Sequence, residues 1–414
     1  MNYIHKGIYM DRRNFLATSI GLTSFNFINN LSANMAEIKS KHKSVILLWM
    51  NGGPSTIDLW DMKPESNNGG KFKPIQTEVN GIEICEHLPL IAKNMKHLSI
   101  VRSMSTREAD HMRGHYYMHT GYVPNPNITH PSYGAVVSHE FQNDLDVPNF
   151  VSVGGSSVDA GFLGASYNPF VVDSNGNIRN LNFDMERNRL LDRMTVLDGI
   201  ENNFIRENRG DLAKNHRKVL NKTLKIMTSK QMEAFKVDKE PKDVQERYGN
   251  NSFGKGCLMA RRLVQLGVPF IEVDFGGWDM HNGVFTALEQ KLPIMDKAMS
   301  ALVEDLNNKD LYKDTVVIWM GEFGRTPRIN PQAGRDHWAK SWSVVVGGGK
   351  FNNGIVVGST NENGTDVETE RYSSEDLMAS VMNALGVSLN TTFTSNSGRP
   401  MKIANSGKLI KELF

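Results

Sequence analysis

The sequence predicts an α/β protein with a doubly wound, mostly parallel sheet and helices on both faces. Short apolar runs without polar alternation, such as residues 44–50 and 315–320, are typical of strands buried on both faces. Amphipathic helical segments separate these runs along the chain, as expected of βαβ units. Polar, glycine-rich loops follow several of the runs, and ligands bind at such strand ends in open α/β sheets.

The predicted elements follow one another from residue 44 to residue 385. Strands are predicted from apolar runs bounded by turn residues, at 44–50, 97–102, 147–153, 268–275, 315–320 and 343–347. Helices are predicted from apolar residues at helical spacing, at about 111–121, 132–137, 257–266, 284–306 and 374–385. A charge-rich segment at about 182–251 predicts a helical insertion packed on the sheet, with a coiled-coil partner site as the alternative.

Length and charge limit the classes of function. The 414 residues fit one large domain, which we place at residues 43–414. The formal charge of +2 does not suggest a nucleic-acid surface. No apolar run approaches the roughly 20 residues that a transmembrane helix needs. Cys85 and Cys257 are the only cysteines, and the sequence leaves open whether they form a disulfide.

The N-terminus predicts export. Residues 11–16 (Asp-Arg-Arg-Asn-Phe-Leu) resemble a twin-arginine motif, a weakly apolar stretch follows, and small residues near Ala33 offer a cleavage site. Residues 1–33 are therefore interpreted as a signal peptide read by the twin-arginine machinery, which carries folded cargo. The mature protein is then periplasmic or extracellular. A disordered basic tail is the alternative.

Carboxylates and imidazoles cluster after two of the predicted strands. Glu322, Asp336 and His337 follow the strand at 315–320, and Asp279 and His281 follow the strand at 268–275. On an extended segment Asp279 and His281 point the same way, so both can reach one ion. Oxygen and imidazole ligands together suit zinc, manganese or iron better than calcium. One or two such ions are therefore predicted; for each residue alone, a salt bridge is the alternative.

Two arginines lie in the same region. Arg325 and Arg335 are candidates for binding a substrate anion, because a guanidinium binds phosphate or sulfate oxygens in a bidentate fork. Pairing with Glu322 or Asp336 is the alternative.

Three histidines recur every four residues within the helix predicted at about 111–121. His111, His115 and His119 would lie on one face of that helix. Solvent exposure alone is the alternative explanation of this pattern.

Several motifs resemble those of the DUF1501 family of exported bacterial proteins. They are Asn-Gly-Gly-Pro-Ser at 51–55, Gly-Trp-Asp-Met-His at 277–281, Gly-Glu-Phe-Gly-Arg-Thr-Pro at 321–327, Gly-Arg-Asp-His-Trp at 334–338 and Gly-Arg-Pro at 398–400. The resemblance extends from about residue 43 to the C-terminus. It implies the alkaline phosphatase and sulfatase superfamily, and with it a doubly wound α/β fold with metals at the strand ends.

The resemblance also implies roles for single residues. Asn51 stands where the superfamily usually has its first metal-binding aspartate, and Glu322 stands where an aspartate of an Asp-His-Gly motif is expected. Asp279, His281 and His337 resemble the superfamily's metal-binding aspartate and histidines.

One position departs from the sulfatase pattern. Sulfatases carry their modified cysteine nine residues before a Thr-Gly pair, and that position here is His111. His111 is then a nucleophile, a general base or a metal ligand, or a metal-bound water attacks directly. The implied function is metal-dependent hydrolysis of a phosphate or sulfate ester on a small anionic molecule or a glycan. A non-catalytic exported binding protein is the main alternative, and a phosphomutase or transferase is a further one.

Overall fold

The structure, a computed structural model, describes residues 43–143, 145–155, 157–177 and 229–414, together with residues 195, 196, 199 and 202. The predicted signal peptide at 1–33 and most of the helical segment predicted at 182–251 lie outside these described residues. From His42 to Phe414 the chain forms one compact unit. Among the helices described, none has the length and apolar character that a membrane span requires.

Fourteen strands are present in the described ranges. In chain order they are β1 (Ser44–Trp49), β2 (Pro74–Gln76), β3 (Glu83–Cys85), β4 (Leu98–Met104), β5 (Phe150–Val153), β6 (Phe170–Val172), β7 (Phe270–Asp274), β8 (Thr315–Met320), β9 (Gly324–Arg325), β10 (His337–Trp338), β11 (Trp342–Gly348), β12 (Val356–Val357), β13 (Thr392–Thr394) and β14 (Pro400–Lys402).

Seven α-helices with complete bounds accompany them in the same ranges. They are α1 (Pro89–Ala92), α2 (His111–Thr120), α3 (Tyr133–Glu140), α4 (Lys242–Tyr248), α5 (Ser252–Leu266), α6 (Val284–Asn308) and α7 (Ser374–Leu385). Short 3-10 helices, including Thr56–Asp58 and Ala165–Tyr167, lie in the connections.

The central sheet has eight strands in the order β12-β4-β11-β8-β1-β7-β5-β6. β1 pairs in parallel with β7 and β8, and β5 pairs in parallel with β6 and β7. β11 is the exception, because it runs antiparallel to both β4 and β8. The prediction of an α/β fold with a mostly parallel sheet is confirmed.

The middle of the sheet is buried on both faces, which explains its apolar sequence. All six residues of β1 are buried, and so are all six of β8. Trp319 of β8 packs edge to face on Trp60, with ring centroids 5.2 Å apart, and its indole N–H points at the sulfur of Met295 on α6. Large aromatic side chains of this kind contribute much of a core's buried apolar area.

Helix boundaries follow the signals in the sequence. α6 buries Leu288, Leu292 and Met295 at helical spacing, as its pattern predicts, and it accommodates Pro293 within its length. α5 ends at Gly267, whose φ of 96° is a left-handed conformation that glycine adopts readily. Both predicted helices are present, with α5 beginning earlier than predicted.

The two cysteines are separate, free thiols. Cys85 lies at the end of β3 and Cys257 lies on α5, and both are buried. Burial raises the pKa of the Cys85 thiol to about 12, so this thiol stays protonated at neutral pH.

Candidate metal centre

The centre lies at the carboxyl edge of the parallel strands, where the loops after β1, β7 and β8 meet. β1 and its two parallel neighbours end side by side, with Trp49 opposite Asp274 in one ladder and Met320 in the other. Gly52, in the loop after β1, donates its backbone N–H to Glu322 at 3.0 Å. The parallel topology therefore brings segments far apart in sequence to one place.

A close approach of two loops requires glycine at position 52. Its φ of 119° lies outside the range that other residues adopt, and a Cβ there would lie 2.5 Å from the backbone nitrogen of Asp279. Glycine in this motif therefore allows the β1 loop to touch the backbone of the segment that carries Asp279.

Four side chains converge at this edge. His111, at the first position of α2, offers a ligand atom together with Asp279 and His337, and these atoms all lie within 4.8 Å of one another. The Oδ1 atom of Asp279 lies 3.3 Å from Nε2 of His111, 3.4 Å from Nε2 of His337 and 3.0 Å from Nε2 of His281. The Nε2 atoms of His281 and His337 are 3.1 Å apart.

Each imidazole is held by an acceptor at its other nitrogen. Nδ1 of His111 lies 2.6 Å from Oε1 of Glu322, and Nδ1 of His281 lies 2.7 Å from Oδ1 of Asp336. Nδ1 of His337 lies 2.7 Å from the carbonyl oxygen of residue 109, which can only accept. Since each Nδ1 faces an acceptor, the proton belongs there and the Nε2 lone pair points into the centre.

This donor set fits a divalent metal ion. Zinc-nitrogen bonds of 2.0–2.1 Å in a tetrahedral site place neighbouring ligand atoms about 3.3 Å apart, close to the 3.0–3.4 Å between Asp279 Oδ1 and the three Nε2 atoms. Two facing lone pairs at 3.1 Å, as in His281 and His337, repel unless a cation or a proton lies between them. Nε2 of His111 is buried and has no hydrogen-bond partner in the part of the chain that the structure describes, so its lone pair is free for a metal ion or for a proton. Acceptors on the outer nitrogens are the usual support of metal-binding histidines.

Charges around the centre favour an ionised Asp279. Burial alone would raise the pKa of Asp279, but the hydrogen bond and charge of Arg325 and the neighbouring histidines lower it to about 2. The hydrogen bond that His111 donates to the Glu322 carboxylate raises the pKa of His111 against the effect of burial. Burial lowers the pKa of His337, which favours its neutral, lone-pair-bearing form.

A family comparison supports the motif resemblance. The model of the family described as "Protein of unknown function (DUF1501)" matches residues 42–414. The chain belongs to the DUF1501 family. No curated protein matches it.

Solved structures with a similar fold include three enzymes. They are the PsFucS1 sulfatase from Pseudoalteromonas sp. (10% identity, TM-score 0.39, covering 87% of this chain and 70% of that one), the lipoteichoic acid synthase LtaP from Listeria monocytogenes (9%, 0.40, 86% and 78%), and a TAB5 alkaline phosphatase mutant with Mg bound (12%, 0.37, 84% and 99%).

In this DUF1501 chain, Arg325 forms hydrogen bonds with other groups of the protein. Its side chain is fully buried and donates to Asp279 Oδ1 at 2.6 Å, to the carbonyl oxygens of residues 52 and 53, and to the carbonyl oxygen of Arg335. Its remaining N–H lies 3.4 Å from Nε2 of His281. Arg325 therefore fixes Asp279 and the β1 loop, and we do not retain it as the residue that binds a substrate anion.

Arg335 is not free to bind a substrate anion either. Its fully buried guanidinium forms two hydrogen bonds of 2.8 Å with Asp58 and donates its other N–H groups to the backbone carbonyls of Asn68, Thr326 and Pro327. All its donors are engaged, so the expected anion clamp is not available. The alternative of an ion pair holds, but with Asp58 rather than Glu322 or Asp336.

Two predicted ligands support other side chains. Glu322 is buried and binds Nδ1 of His111 and the Gly52 N–H, and Asp336 binds Nδ1 of His281. The structure thus places both behind the histidines rather than among the converging atoms. The Asn51 amide lowers the pKa of Asp274 against the effect of burial, and Asn51 as a metal ligand stays a prediction.

Below the centre lies a buried polar cluster that sequence reasoning missed. Glu272 of β7 lies 3.4 Å from Nε2 of His119 and accepts a hydrogen bond of 2.6 Å from Ser157. Asp274 follows on the same strand, and burial raises its pKa to about 6. The signal for this cluster in the sequence is the pair of acids at alternate positions, Glu272 and Asp274, within the otherwise apolar run 268–275. His115 and His119 stack on each other, and both contact Trp49, His115 edge to face and His119 at a tilt. This packing explains two of the three histidines spaced four residues apart.

Proposed function

We propose that this protein is an exported, metal-dependent hydrolase of phosphate or sulfate esters. The observation that carries the proposal is the convergence of three imidazole Nε2 atoms on Asp279 Oδ1, with a hydrogen-bond acceptor behind each ring. Acceptors of this kind behind the rings are the usual support of metal-binding histidines.

We assign three of the four side chains to the ion. Asp279, His281 and His337 would hold it, because a catalytic site keeps an open position and four permanent protein ligands would close it. His111 is the residue left over, and it differs from the other histidines because its Nδ1 is bonded to a buried carboxylate, that of Glu322. A bound divalent ion would supply Lewis acidity and lower the pKa of a water.

The side chains then have separate tasks. His111 accepts the proton of the attacking water at Nε2, and Glu322 keeps the other proton of that ring on Nδ1. Arg325 holds Asp279 in place through a hydrogen bond of 2.6 Å and keeps it ionised. Asp336 fixes the plane of His281.

Charge balance favours one ion. The carboxylates of Asp279, Glu322 and Asp336 face the guanidinium of Arg325, which leaves a formal charge of about −2 when the histidines are neutral. One divalent ion neutralises this charge. An anionic ester could then approach without repulsion, although Arg325 is already engaged.

A binding protein without catalytic activity is the second candidate. The observation in its favour is that Arg325 and Arg335 are both fully buried with their donors engaged, so neither is free to hold a substrate anion. On this reading the protein keeps the fold and the centre but binds an envelope polysaccharide or a secreted protein.

Export by the twin-arginine route remains part of the proposal. It rests on Arg12 and Arg13 with the apolar stretch behind them. A fusion of residues 1–33 to a reporter that is active only outside the cytoplasm tests it. Loss of reporter export when both arginines are changed to lysine supports the route, and export through the general secretory machinery contradicts it.

The experiment for the centre is elemental mass spectrometry on protein purified without chelators or a histidine tag. We expect about one equivalent of zinc, manganese or iron, and turnover of an aryl phosphate or aryl sulfate. His337→Ala should lose the metal while circular dichroism stays unchanged. His139→Ala is the matched control, since His139 is similarly half-exposed and paired with a carboxylate, that of Glu140. Metal retained at full stoichiometry in His337→Ala refutes the site; metal without turnover on any ester favours the binding protein.

A further inference from the structure

A second concave site lies away from the metal centre. It is a cleft of about 670 Å³, within the range of roughly 300–1,000 Å³ that is usual for small-molecule sites. We refer to it as the β5-loop cleft, because the loop after β5 forms one wall. Its polar and aromatic lining includes Asn127, Thr129, Asp159, Phe162, Asn168 and Ser397.

Hydrogen bonds join the walls of this cleft to each other. The backbone N–H of Phe162 donates to the carbonyl of Thr129 at 3.1 Å, and the N–H of Ser132 donates to the carbonyl of Asp159 at 3.1 Å. At Gly161, between them, an added Cβ would lie 2.3 Å from the Thr129 carbonyl oxygen, and its φ is 49°. The two chain segments that form the walls of the cleft, around Thr129 and around Phe162, are therefore in direct contact.

The lining chemistry points to an uncharged, hydroxyl-rich ligand. Carboxamide and hydroxyl side chains each both donate and accept hydrogen bonds, which matches a polyhydroxylated molecule. The side-chain oxygen of Asn168 accepts a hydrogen bond from the N–H of Ala160 at 2.9 Å. The amide nitrogen of the same side chain can then donate to a ligand. Phe162 adds a half-buried aromatic face. Among the described residues that line the cleft there is no lysine or arginine, so an anionic group is not its natural ligand.

One wall of the cleft, the loop after β5, begins at the edge of the sheet where the metal centre lies. β5 is parallel to β7, so the loops that follow these two strands leave the same edge. Helix α2 connects the two sites, because it begins with His111 and ends at Thr120, a few residues before the cleft wall. At 1.5 Å per residue, its ten residues span about 15 Å. A single ligand that reached both sites would be an extended chain.

We propose that the β5-loop cleft binds an uncharged sugar unit of a glycan chain. The part of the proposal that places a phosphate or sulfate ester of the same chain at the metal centre rests on the proposed function; binding of the neutral sugar does not. The cleft then sets which glycans are substrates, and the centre supplies the chemistry.

The test is calorimetric titration with neutral hexasaccharides: maltohexaose, xylohexaose, mannohexaose and agarohexaose. We expect at least one to bind with a Kd below about 1 mM. Ala165→Trp fills the cleft from an exposed position, and it should weaken binding at least tenfold. Phe162→Ala removes the aromatic face and should weaken binding about tenfold. Phe414→Ala, at a partly exposed phenylalanine outside the cleft, is the control and should bind normally.

Two further measurements separate this proposal from the proposed function. Protein stripped of metal should bind the hexasaccharide as well as untreated protein does. Turnover of a small aryl ester, if the enzyme has it, should be the same in Ala165→Trp as in the wild type, because that substrate does not reach the cleft. If no hexasaccharide binds, if binding is unchanged in both cleft variants, or if peptides compete for the cleft while sugars do not, the proposal is wrong.

Discussion

Replacing Asp336 by alanine tests whether the centre is organised from behind its histidines. Oδ1 of Asp336 lies 2.7 Å from Nδ1 of His281 and fixes the orientation of that ring. The side chain of Asp336 is 53% exposed, so its removal leaves no buried void. Loss of an orienting carboxylate typically weakens metal affinity 10–100-fold, which corresponds to about 1.4–2.8 kcal/mol. We expect Asp336→Ala to fall in this range.

The assay is competition for Zn²⁺ against a coloured chelator, with metal-free protein at neutral pH. Asp366→Ala is the matched control, because Asp366 is 50% exposed and bonded to Arg371 on the surface. It should leave the affinity unchanged. An affinity of Asp336→Ala within about twofold of the wild type would refute the orienting role, whereas a loss far beyond 100-fold would make Asp336 a direct ligand.

Three further changes have defined outcomes. Arg335→Met should lower the free energy of unfolding by about 3–5 kcal/mol, because the buried carboxylate of Asp58 is left unpaired. Urea unfolding measures this loss. An unchanged urea midpoint together with a raised KM would instead indicate that Arg335 binds substrate. Burial raises the pKa of Asp296 to about 6, so the unfolded chain loses that proton first and stability falls as pH rises between about 4 and 6. Asp296→Asn should remove this part of the pH dependence of urea midpoints, and parallel curves for variant and wild type would contradict it. Glu322→Gln should lower ester turnover about 10²–10⁴-fold with the fold retained, because the neutral amide removes the negative charge beside His111 and its NH2 group can donate to Nδ1, which favours the wrong tautomer. Turnover near the wild-type value would exclude His111 as the base.

The fold was predictable because local patterns decide it. β1 is apolar at every position since both of its faces are covered, and the buried positions of α6 recur at helical spacing. The antiparallel direction of β11 was not predictable, because an apolar run has the same sequence in either direction. The direction depends on the path of the chain between 321 and 341, which no local signal encodes.

The site was predictable in its location but only partly in its roles. Asp279 and His337 follow strands whose ends must meet, so their proximity follows from topology. The ion pair between Arg335 and Asp58 was not predictable from the sequence. Asp58 lies 277 positions earlier, and no residue near Asp58 indicates that its carboxylate binds a buried guanidinium. The contact between His337 Nδ1 and the backbone carbonyl of residue 109 was not predictable either, because a backbone acceptor is not indicated by the type of side chain at that position.

The spread of the centre along the chain has a consequence for biogenesis. Its converging side chains are contributed by His111, by the segment that holds Asp279 and His281, and by His337, and parallel strands bring them together only when the sheet has formed. A nascent chain that has not yet emerged as far as His337 lacks one of the side chains of the proposed metal site. Contacts of such long sequence separation form late, because loop closure is costly in entropy. The metal ion that we propose for this centre would therefore bind only after synthesis and folding are essentially finished, and the compartment in which folding ends would determine which ion is acquired.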